Sequence, residues 1–176
     1  KKYACHHCSL VCGAWLPYSG EDEPGLDRVR KPEYESVAAF GPLLLINDLQ
    51  TIIRANEYCN LVGMDAINAG ATIAFAMECY ENGLITSKDT DGLELVWGNS
   101  GVLLPLLKKM ANREGIGSVL ADGLVRAAEQ IGQGSEAFAM HIHGEAVPMH
   151  DPRFRPGWST SYQMDATPAH HEQGGA

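Results

Sequence analysis

Three cysteines lie close together near the beginning of the sequence, at Cys5, Cys8 and Cys12. Their C-x2-C-x3-C spacing allows three thiolates on one tight loop to bind three irons of a cubane iron–sulfur cluster, while the fourth ligand must come from elsewhere. Zinc is the main competing interpretation, because C-x2-C is also half of a zinc site and His6 and His7 lie inside it. A disulfide or a chance cluster is the plain structural alternative.

Two further cysteines, Cys59 and Cys79, lie inside helical patterns. A buried free cysteine behaves as a small hydrophobic residue, and neither of these has a partner at loop spacing. We therefore interpret both as core residues, so that the fourth ligand of a cluster is missing from this sequence.

Two short segments carry carboxylates at predicted helix ends. Glu33 and Glu35 open a helix after Pro32, where negative side chains complement the positive end of the helix dipole. Gly63 and Asp65 lie between two helices, and a C-cap glycine followed by an N-cap aspartate explains them fully in structural terms. The functional alternative is that Asp65 and the exposed backbone amides beside it bind a polar heterocycle.

Histidines concentrate in the last third of the sequence. His170 and His171 are adjacent in a Pro-containing stretch, which makes them better candidates for proton transfer than a lone helical histidine. His141 and His143 alternate and would share one face of a strand, where packing or solvent exposure is favoured over metal binding. The segment 150–153, His-Asp-Pro-Arg, predicts a structural ion pair on a turn that proline fixes.

The composition is that of an acidic globular protein. The 176 residues carry a formal net charge of -9, with 45% hydrophobic and 20% charged residues, which is enough for an ordinary domain with a core. The negative charge argues against nucleic acid or an anionic membrane surface as partner, and no apolar run approaches the ~20 residues of a membrane-spanning helix. Five cysteines, three of them clustered, fit a reducing compartment, so we expect a cytoplasmic protein.

Apolar periodicity and glycine stops predict helices separated by short connections. The predicted fold class is all-α, a mainly helical bundle with an irregular Pro- and Gly-rich C-terminal segment. Residues 13–31 are predicted to form a loop and residues 138–143 a short extended segment. The predicted helices cover 33–46, 48–62, 66–82, 99–112 and 118–131.

The change of pattern near residue 137 predicts two domains. We place a helical middle domain at 1–136 and the start of a truncated C-terminal domain at 137–176. Pro148, Pro152 and Pro156 disfavour long regular structure in the second. Because the cysteine loop has no scaffold before it, we expect a fragment of a longer polypeptide.

Seven short motifs follow one another along the sequence. They are Cys5-x2-Cys8-x3-Cys12-Gly13, Pro32-Glu33-Tyr34-Glu35, Asn60-Leu61-Val62-Gly63-Met64-Asp65, Asp91-Gly92-Leu93-Glu94-Leu95-x-Trp97-Gly98-Asn99, the run from Arg113 to Gly123, His150-Asp151-Pro152-Arg153, and Asp165-Ala166-Thr167-Pro168-Ala169-His170-His171. With these motifs in this order, the sequence resembles the aldehyde ferredoxin oxidoreductase family over nearly its whole length. That family comprises tungsten, sometimes molybdenum, bis-pterin enzymes.

The resemblance implies a pterin contact for the segment 60–65. A D-x-x-G-L-D/C stretch contacts one pterin in the family, and Asn60, Gly63 and Asp65 match it as cofactor-binding residues. Asn60 stands where an aspartate is often found, and its amide keeps acceptor capacity while the charge is lost.

The resemblance also implies two catalytic residues. The glutamate of the P-E-Y-E motif and the histidine of the C-terminal motif lie near the metal in the family, which points to Glu35 and His171 as groups for proton transfer. His170 replaces a residue that is usually arginine or acidic, which leaves the substrate class open.

The implied function is oxidation of aldehydes to carboxylic acids, with electrons passing through a 4Fe-4S cluster to ferredoxin. The implied cofactors are that cluster and a tungsten or molybdenum bis-pterin in the full-length enzyme, while the isolated piece is expected to hold no stable cluster and to be inactive. The N-terminal pterin-binding domain is a missing partner, and homo-oligomerisation stays open. The alternatives are a standalone iron–sulfur or zinc-binding helical module without catalysis, and a family member with another substrate, such as an aromatic thioester.

Overall fold

The computed structural model describes residues 1–18 and 27–170 of the chain. Helices dominate this part of the chain, and small antiparallel sheets accompany them. The fold is therefore mainly helical, and the stricter prediction of an all-α fold needs correction. The seven α-helices among the described residues are α1 Tyr34–Phe40, α2 Leu49–Val62, α3 Ala66–Glu81, α4 Leu103–Asn112, α5 Ile116–Leu120, α6 Leu124–Ile131 and α7 Pro156–Met164.

The cysteine loop connects the first two strands of a small sheet. Strands β1 (Lys2–Tyr3), β2 (Gly13–Pro17) and β3 (Arg28–Arg30) pair antiparallel in the order β1-β2-β3. The prediction of a loop over 13–31 is thus wrong for the two segments that form β2 and β3. Residues 19–26 lie outside the described part of the chain. Trp15 pairs with Arg30, and the aromatic and guanidinium side chains stack on one face.

The first predicted helix is shorter than the sequence pattern suggests. Helix α1 ends at Phe40, and a 3₁₀ turn, Pro42–Leu44, follows it. Proline lacks an N–H group and disfavours helical geometry in the residue before it, so the helix cannot continue through Gly41. The predicted helices 48–62 and 66–82 are confirmed as α2 and α3. The predicted helix 99–112 begins as a 3₁₀ turn, Ser100–Val102, and continues as α4.

Two further helix predictions are corrected near the C-terminal end. The predicted helix 118–131 is two helices, α5 and α6, because Gly123 between them has a φ of 84°. Helix α7 was not predicted at all. Pro156 is its first residue, the position where proline costs nothing because the N–H has no intrahelical acceptor. A second sheet, β4 (His141–Ile142) with β5 (Glu145–Ala146), precedes α7.

Helix α3 is the centre of the core. It contacts α1, α5 and α6, while α4 packs on α2 and α5. The close approach of α3 and α1 depends on Gly70, since a Cβ there would lie 2.7 Å from the Cβ of Ala39. The largest fully buried side chains of the helical core include Phe40, Leu44, Ile73, Met77, Leu95, Leu103, Leu106, Leu107, Leu120 and Leu124. Within the described residues, no helix is both long enough and apolar enough to cross a membrane.

Candidate functional site

The connection between α2 and α3 is a pair of helix caps. Gly63 closes α2 in the left-handed conformation, with φ 73° and ψ 32°. Asp65 begins α3, and its carboxylate accepts a hydrogen bond of 2.7 Å from the backbone N–H of Asn68. The capping interpretation of both residues is confirmed. Both are exposed, so capping does not exclude a ligand contact.

Gly63 and Asp65 also line a cleft of about 560 Å³ at the ends of several helices. The cleft is bounded by the α2–α3 connection, the end of α4, the α5–α6 connection and the turn between β4 and β5. Asn60 is exposed on α2 and is not among the lining residues. The lining residues are Tyr58, Val62, Gly63, Met64, Asp65, Asn68, Ala69, Thr72, Met110, Ala111, Asn112, Leu120, Ala121, Asp122, Gly123, Gly144 and Glu145.

Three glycines from different connections leave room along this cleft. Gly63, Gly123 and Gly144 have positive φ values, and a Cβ built on any of them would meet no atom within 4 Å. A side chain at these positions would therefore project into open space. Bare backbone at a cleft wall allows a flat ligand to approach the amide groups closely. That a heterocycle binds in this cleft stays a prediction.

Asn68 joins the cleft wall to the second sheet. Its side-chain nitrogen donates to Glu145 at 3.1 Å, and its oxygen accepts a 3.1 Å hydrogen bond from the backbone N–H of Ala146. Sequence reasoning missed Asn68 because an asparagine inside the first turn of a helix is common. The only available signal was its position three residues after the capping aspartate.

The charged groups of the cleft are mainly carboxylates. Asp65 and Glu145 lie on one side, and Asp122 lies on the other, where Arg113 binds it at 2.6 Å. This ion pair and its hydrogen bond lower the pKa of Asp122. Carboxylates accept hydrogen bonds from ring N–H and amino groups, so the electrostatics favour a ligand rich in N–H donors at this wall.

A second, smaller cleft brings the C-terminal motif beside Asp65. Its volume is about 290 Å³, and Asp65, Asn68 and Glu145 line it together with Thr167 and His170. The structure therefore places one histidine of the predicted pair near the capping aspartate. His171, the predicted catalytic residue, lies outside the described residues.

Glu35 lies elsewhere, at the beginning of α1, and binds the segment that precedes α7. Its carboxylate contacts the Nδ1 atom of His150 and accepts a 2.8 Å hydrogen bond from the backbone N–H of Met149. The Glu35 side chain is 13% exposed and that of His150 is 27% exposed. Glu35 is not among the residues that line either cleft. Its convergence with Gly63 and Asp65 on one face stays a prediction.

Aromatic side chains enclose the imidazole of His150. Its ring centroid lies 4.7 Å from that of Tyr34 and 4.9 Å from that of Trp158. The hydroxyl of Tyr162 donates a 2.8 Å hydrogen bond to the His150 carbonyl oxygen. Burial, with a smaller effect of the Glu35 charge, raises the pKa of Tyr162 to about 12, so this donor keeps its proton at ordinary pH.

The sequence interpretation of residues 150–153 was incomplete. The expected ion pair exists, since Arg153 binds Asp151 through hydrogen bonds of 2.6–3.0 Å. The contact of His150 with Glu35 was not predicted, because 115 residues separate the two in the sequence. His141 and His143 do not share a strand face, because β4 ends at Ile142 and His143 adopts a φ of 52°.

The three clustered cysteines lie on the loop between β1 and β2. Cys5 and Cys12 are exposed and Cys8 is half-buried. Among residues 1–18 and 27–170, no group of three His, Cys, Asp or Glu side chains is arranged to hold a metal ion, so the cluster stays a prediction. The donor set itself fits soft thiolate chemistry, because three accessible thiols share one loop.

Cys59 and Cys79 are confirmed as core residues. Cys59 is 2% exposed, and Cys79 is fully buried. Burial raises the pKa of Cys59 to about 12 and that of Cys79 to about 11. Since metals bind thiolates, burial makes both residues poor ligands.

The described part of the chain combines a mainly helical body, a cleft whose wall includes Gly63, Gly123 and Gly144, and a loop with exposed cysteines. The family model for aldehyde ferredoxin oxidoreductase, domains 2 and 3, matches residues 1–176. The chain belongs to the aldehyde ferredoxin oxidoreductase family.

Relatives from Pyrococcus and Thermococcus species share 35–42% identity with the chain. The tungsten-containing aldehyde ferredoxin oxidoreductase of Pyrococcus furiosus is 41% identical over 161 residues, and that of Pyrococcus abyssi is 42% identical over 163 residues. Both alignments cover 90% of this chain and 25% of the relative. The WOR-like subunit of the aliphatic sulfonate oxidoreductase of Pyrococcus furiosus is 35% identical over 185 residues, covering 99% of this chain and 28% of the subunit.

A solved structure shares the fold. The active site complex BamBC of benzoyl coenzyme A reductase, in complex with 1,5-dienoyl-CoA, matches with a TM-score of 0.75 and 27% identity. The match covers 94% of this chain and 24% of that chain. The chain therefore spans about a quarter of the length of the relatives that it matches.

Proposed function

We propose that the full-length protein containing this chain is a tungstopterin oxidoreductase that oxidises aldehydes to carboxylic acids. The observation that carries the proposal is the position of Gly63 and Asp65, which match the family's pterin motif and line the glycine-walled cleft. The 41% identity to a tungsten-containing aldehyde ferredoxin oxidoreductase supports the same conclusion. A standalone iron–sulfur or zinc-binding module finds no support among the relatives.

The residues of the cleft fit a pterin. Gly63 would let the heterocycle approach the backbone, and the carboxylate of Asp65 would accept hydrogen bonds from its N–H groups. Asn60 does not line the cleft, so we propose it only as a cofactor contact outside the cleft. When bound, the metal–pterin centre, with tungsten or molybdenum, accepts two electrons from the substrate.

Protons must be handled by the protein's own side chains. Two-electron oxidation of an aldehyde, with water supplying the added oxygen, yields a carboxylic acid and releases two protons and two electrons. Glu35 offers a carboxylate of low exposure that can accept a proton at either oxygen, and His171 is proposed as its partner imidazole. The half-buried position of Glu35 keeps bulk water from competing for its hydrogen bonds.

The electrons leave through the N-terminal loop in this proposal. Cys5, Cys8 and Cys12 would bind three irons of a 4Fe-4S cluster, and a cysteine outside this chain would bind the fourth. Ferredoxin is the proposed electron acceptor, in a cytoplasmic, anaerobic setting.

A pterin-binding domain before residue 1 would close the cleft. The domain boundary near residue 136 belongs to the same proposal.

A second candidate function is reduction of an aromatic thioester. The fold likeness to the benzoyl coenzyme A reductase complex is the specific observation that favours it. The two candidate functions differ in the direction of electron flow, because the first oxidises an aldehyde and the second reduces a thioester. The first candidate is supported if the anaerobic full-length protein reduces ferredoxin with aldehydes and leaves benzoyl coenzyme A unchanged even when reduced ferredoxin is supplied as electron donor.

A matched pair of glycine variants tests the cleft. Gly63 and Gly83 both have positive φ, 73° and 71°, and a Cβ on either meets no atom within 4 Å, but only Gly63 lines the cleft. Asparagine tolerates this backbone conformation better than other residues. In the full-length protein, Gly63→Asn should lower pterin and tungsten content at least about tenfold, by analogy with the loss of a cofactor contact.

Gly83→Asn is the control and should retain the cofactor. Equal cofactor content in both variants would contradict the assignment of the cleft. Full cofactor content without aldehyde-dependent ferredoxin reduction in the unmodified protein would contradict the proposed reaction and leave the cleft assignment standing.

A further inference from the structure

The carboxylate of Glu35 is held through both of its oxygens by one short segment. Oε1 contacts the Nδ1 atom of His150, and Oε2 accepts the backbone N–H of Met149 at 2.8 Å. With Glu35 ionised, Nδ1 must carry the proton of this contact, because a carboxylate only accepts hydrogen bonds. The two donors are adjacent in sequence, so they act as a fork that fixes the plane of the carboxylate.

The fork is itself held in place from three sides. The hydroxyl of Tyr34 donates to the Met149 carbonyl oxygen at 2.8 Å, and that of Tyr162 donates to the His150 carbonyl oxygen at 2.8 Å. The rings of Tyr34 and Trp158 pack against the imidazole. These contacts fix the position of the His150 ring, which is what a supporting residue for a reacting group requires.

We propose that His150 is a positioning residue for Glu35, which holds the carboxylate in the orientation needed for proton transfer. The proposal rests on the proposed function, in which Glu35 transfers protons. A simple tether between the C-terminal segment and α1 would need only one hydrogen bond and ring packing. The fork uses both oxygens, so it fixes the orientation of the whole carboxylate and not only of one oxygen.

Two substitutions separate positioning from packing. His150→Phe keeps a planar ring between Tyr34 and Trp158 but removes the donor to Glu35. His150→Asn removes most of the ring but places an amide N–H close to the former Nδ1 position. If His150 positions Glu35, kcat of the full-length enzyme falls about 10²-fold in His150→Phe. His150→Asn recovers at least about tenfold of that loss, with KM and tungsten content unchanged in both.

A second measurement does not depend on turnover. The amide of Met149 donates a hydrogen bond to Glu35, so we expect this bond to protect the amide from hydrogen exchange. Exchange of this amide, followed by mass spectrometry, should be about tenfold faster in His150→Phe and close to unmodified in His150→Asn. His143→Asn is the control, because His143 is exposed and lies in a turn.

The two variants distinguish a positioning role of His150 from a packing role. His150→Phe equal to or better than His150→Asn in kcat and in amide protection would overturn the proposal and assign a packing role. Unmodified turnover in both variants, or tungsten loss in both, would overturn it as well. In a Glu35→Gln background, a further loss of kcat on introducing His150→Asn would show that His150 does not act through Glu35. Absence of aldehyde oxidation in the unmodified enzyme would instead refute the proposed function.

Discussion

Helices α1 and α3 approach so closely that residue 70 has no room for a side chain. A Cβ on Gly70 would lie 2.7 Å from the Ala39 Cβ and 2.8 Å from the Ala39 carbonyl oxygen, whereas carbon atoms in contact lie about 3.5–4.0 Å apart. Gly70→Ala therefore requires the helices to separate by about 1 Å. Overpacking of this kind costs about 1–3 kcal/mol, and the better helix propensity of alanine offsets up to about 1 kcal/mol. We expect the free energy of unfolding to fall by about 1–2 kcal/mol.

The same displacement of α1 should also move Glu35, a candidate site residue. Glu35 precedes Ala39 by one helical turn, so a shift of α1 moves its carboxylate relative to the rest of the site. A misplacement of about 1 Å lowers kcat by up to about 10²-fold. The assay is thermal unfolding and aldehyde-dependent ferredoxin reduction of the full-length protein.

Gly157→Ala is the matched control, because Gly157 lies in α7 and a Cβ there meets no atom within 4 Å. It should leave Tm unchanged or slightly higher. An unchanged Tm in Gly70→Ala would refute the argument that α1 and α3 are in contact at this glycine. A lowered Tm with full kcat would show that the position of α1 does not control the site.

Two further predictions concern the scaffold. Asp48 caps α2 by accepting hydrogen bonds from the backbone N–H groups of Gln50 and Thr51, so Asp48→Ala should lower the free energy of unfolding by about 1 kcal/mol near pH 7. Hydrogen bonds from Thr51 lower the pKa of Asp48, so this contribution is present above the unfolded-state pKa and is lost as the pH falls through the folded-state pKa. Denaturant unfolding at pH 7 and pH 3 should show a difference between Asp48→Ala and the unmodified protein that shrinks in acid; a constant difference would contradict the capping role. Iodoacetamide at pH 8 should leave Cys59 and Cys79 of the folded, metal-free protein unmodified, because burial raises the pKa of both thiols. Peptide mass spectrometry that finds either residue labelled before unfolding would contradict their burial, while labelling is expected at Cys5, Cys8 and Cys12.

Local patterns in the sequence determined the long helices and their caps. Helices α2 and α3 could be predicted because their apolar periodicity, the aspartates at their beginnings and Gly63 between them all act within a few residues of chain. The burial of Cys59 and Cys79 followed from the same periodicity. The family resemblance rests on motifs in order, so it too is a property of the sequence alone.

Strand pairing and helix breaks depended on interactions that the local pattern does not encode. The short strands β2 and β3 are stabilised by pairing with each other across a polar connection, which has no periodicity to detect. Helix α7 begins at a proline that reads equally well as a stop. The division of the last long helix depends on the conformation of one glycine, Gly123.

The candidate site also combines residues that local motifs indicate with contacts that only the tertiary structure shows. The family motifs in the sequence pointed to Glu35, Gly63 and Asp65 as candidate site residues, because each lies in a motif of a few residues. Only the tertiary structure placed His150 against Glu35 and Asn68 against Glu145, since these contacts join residues 115 and 77 positions apart. It also showed that Asn60, on the last turn of α2, does not line the cleft, whereas Gly63 just after that helix does. Motifs that act within a few residues can be recognised from the order of residues alone. The partners of each carboxylate, in contrast, depend on how the helices and sheets pack.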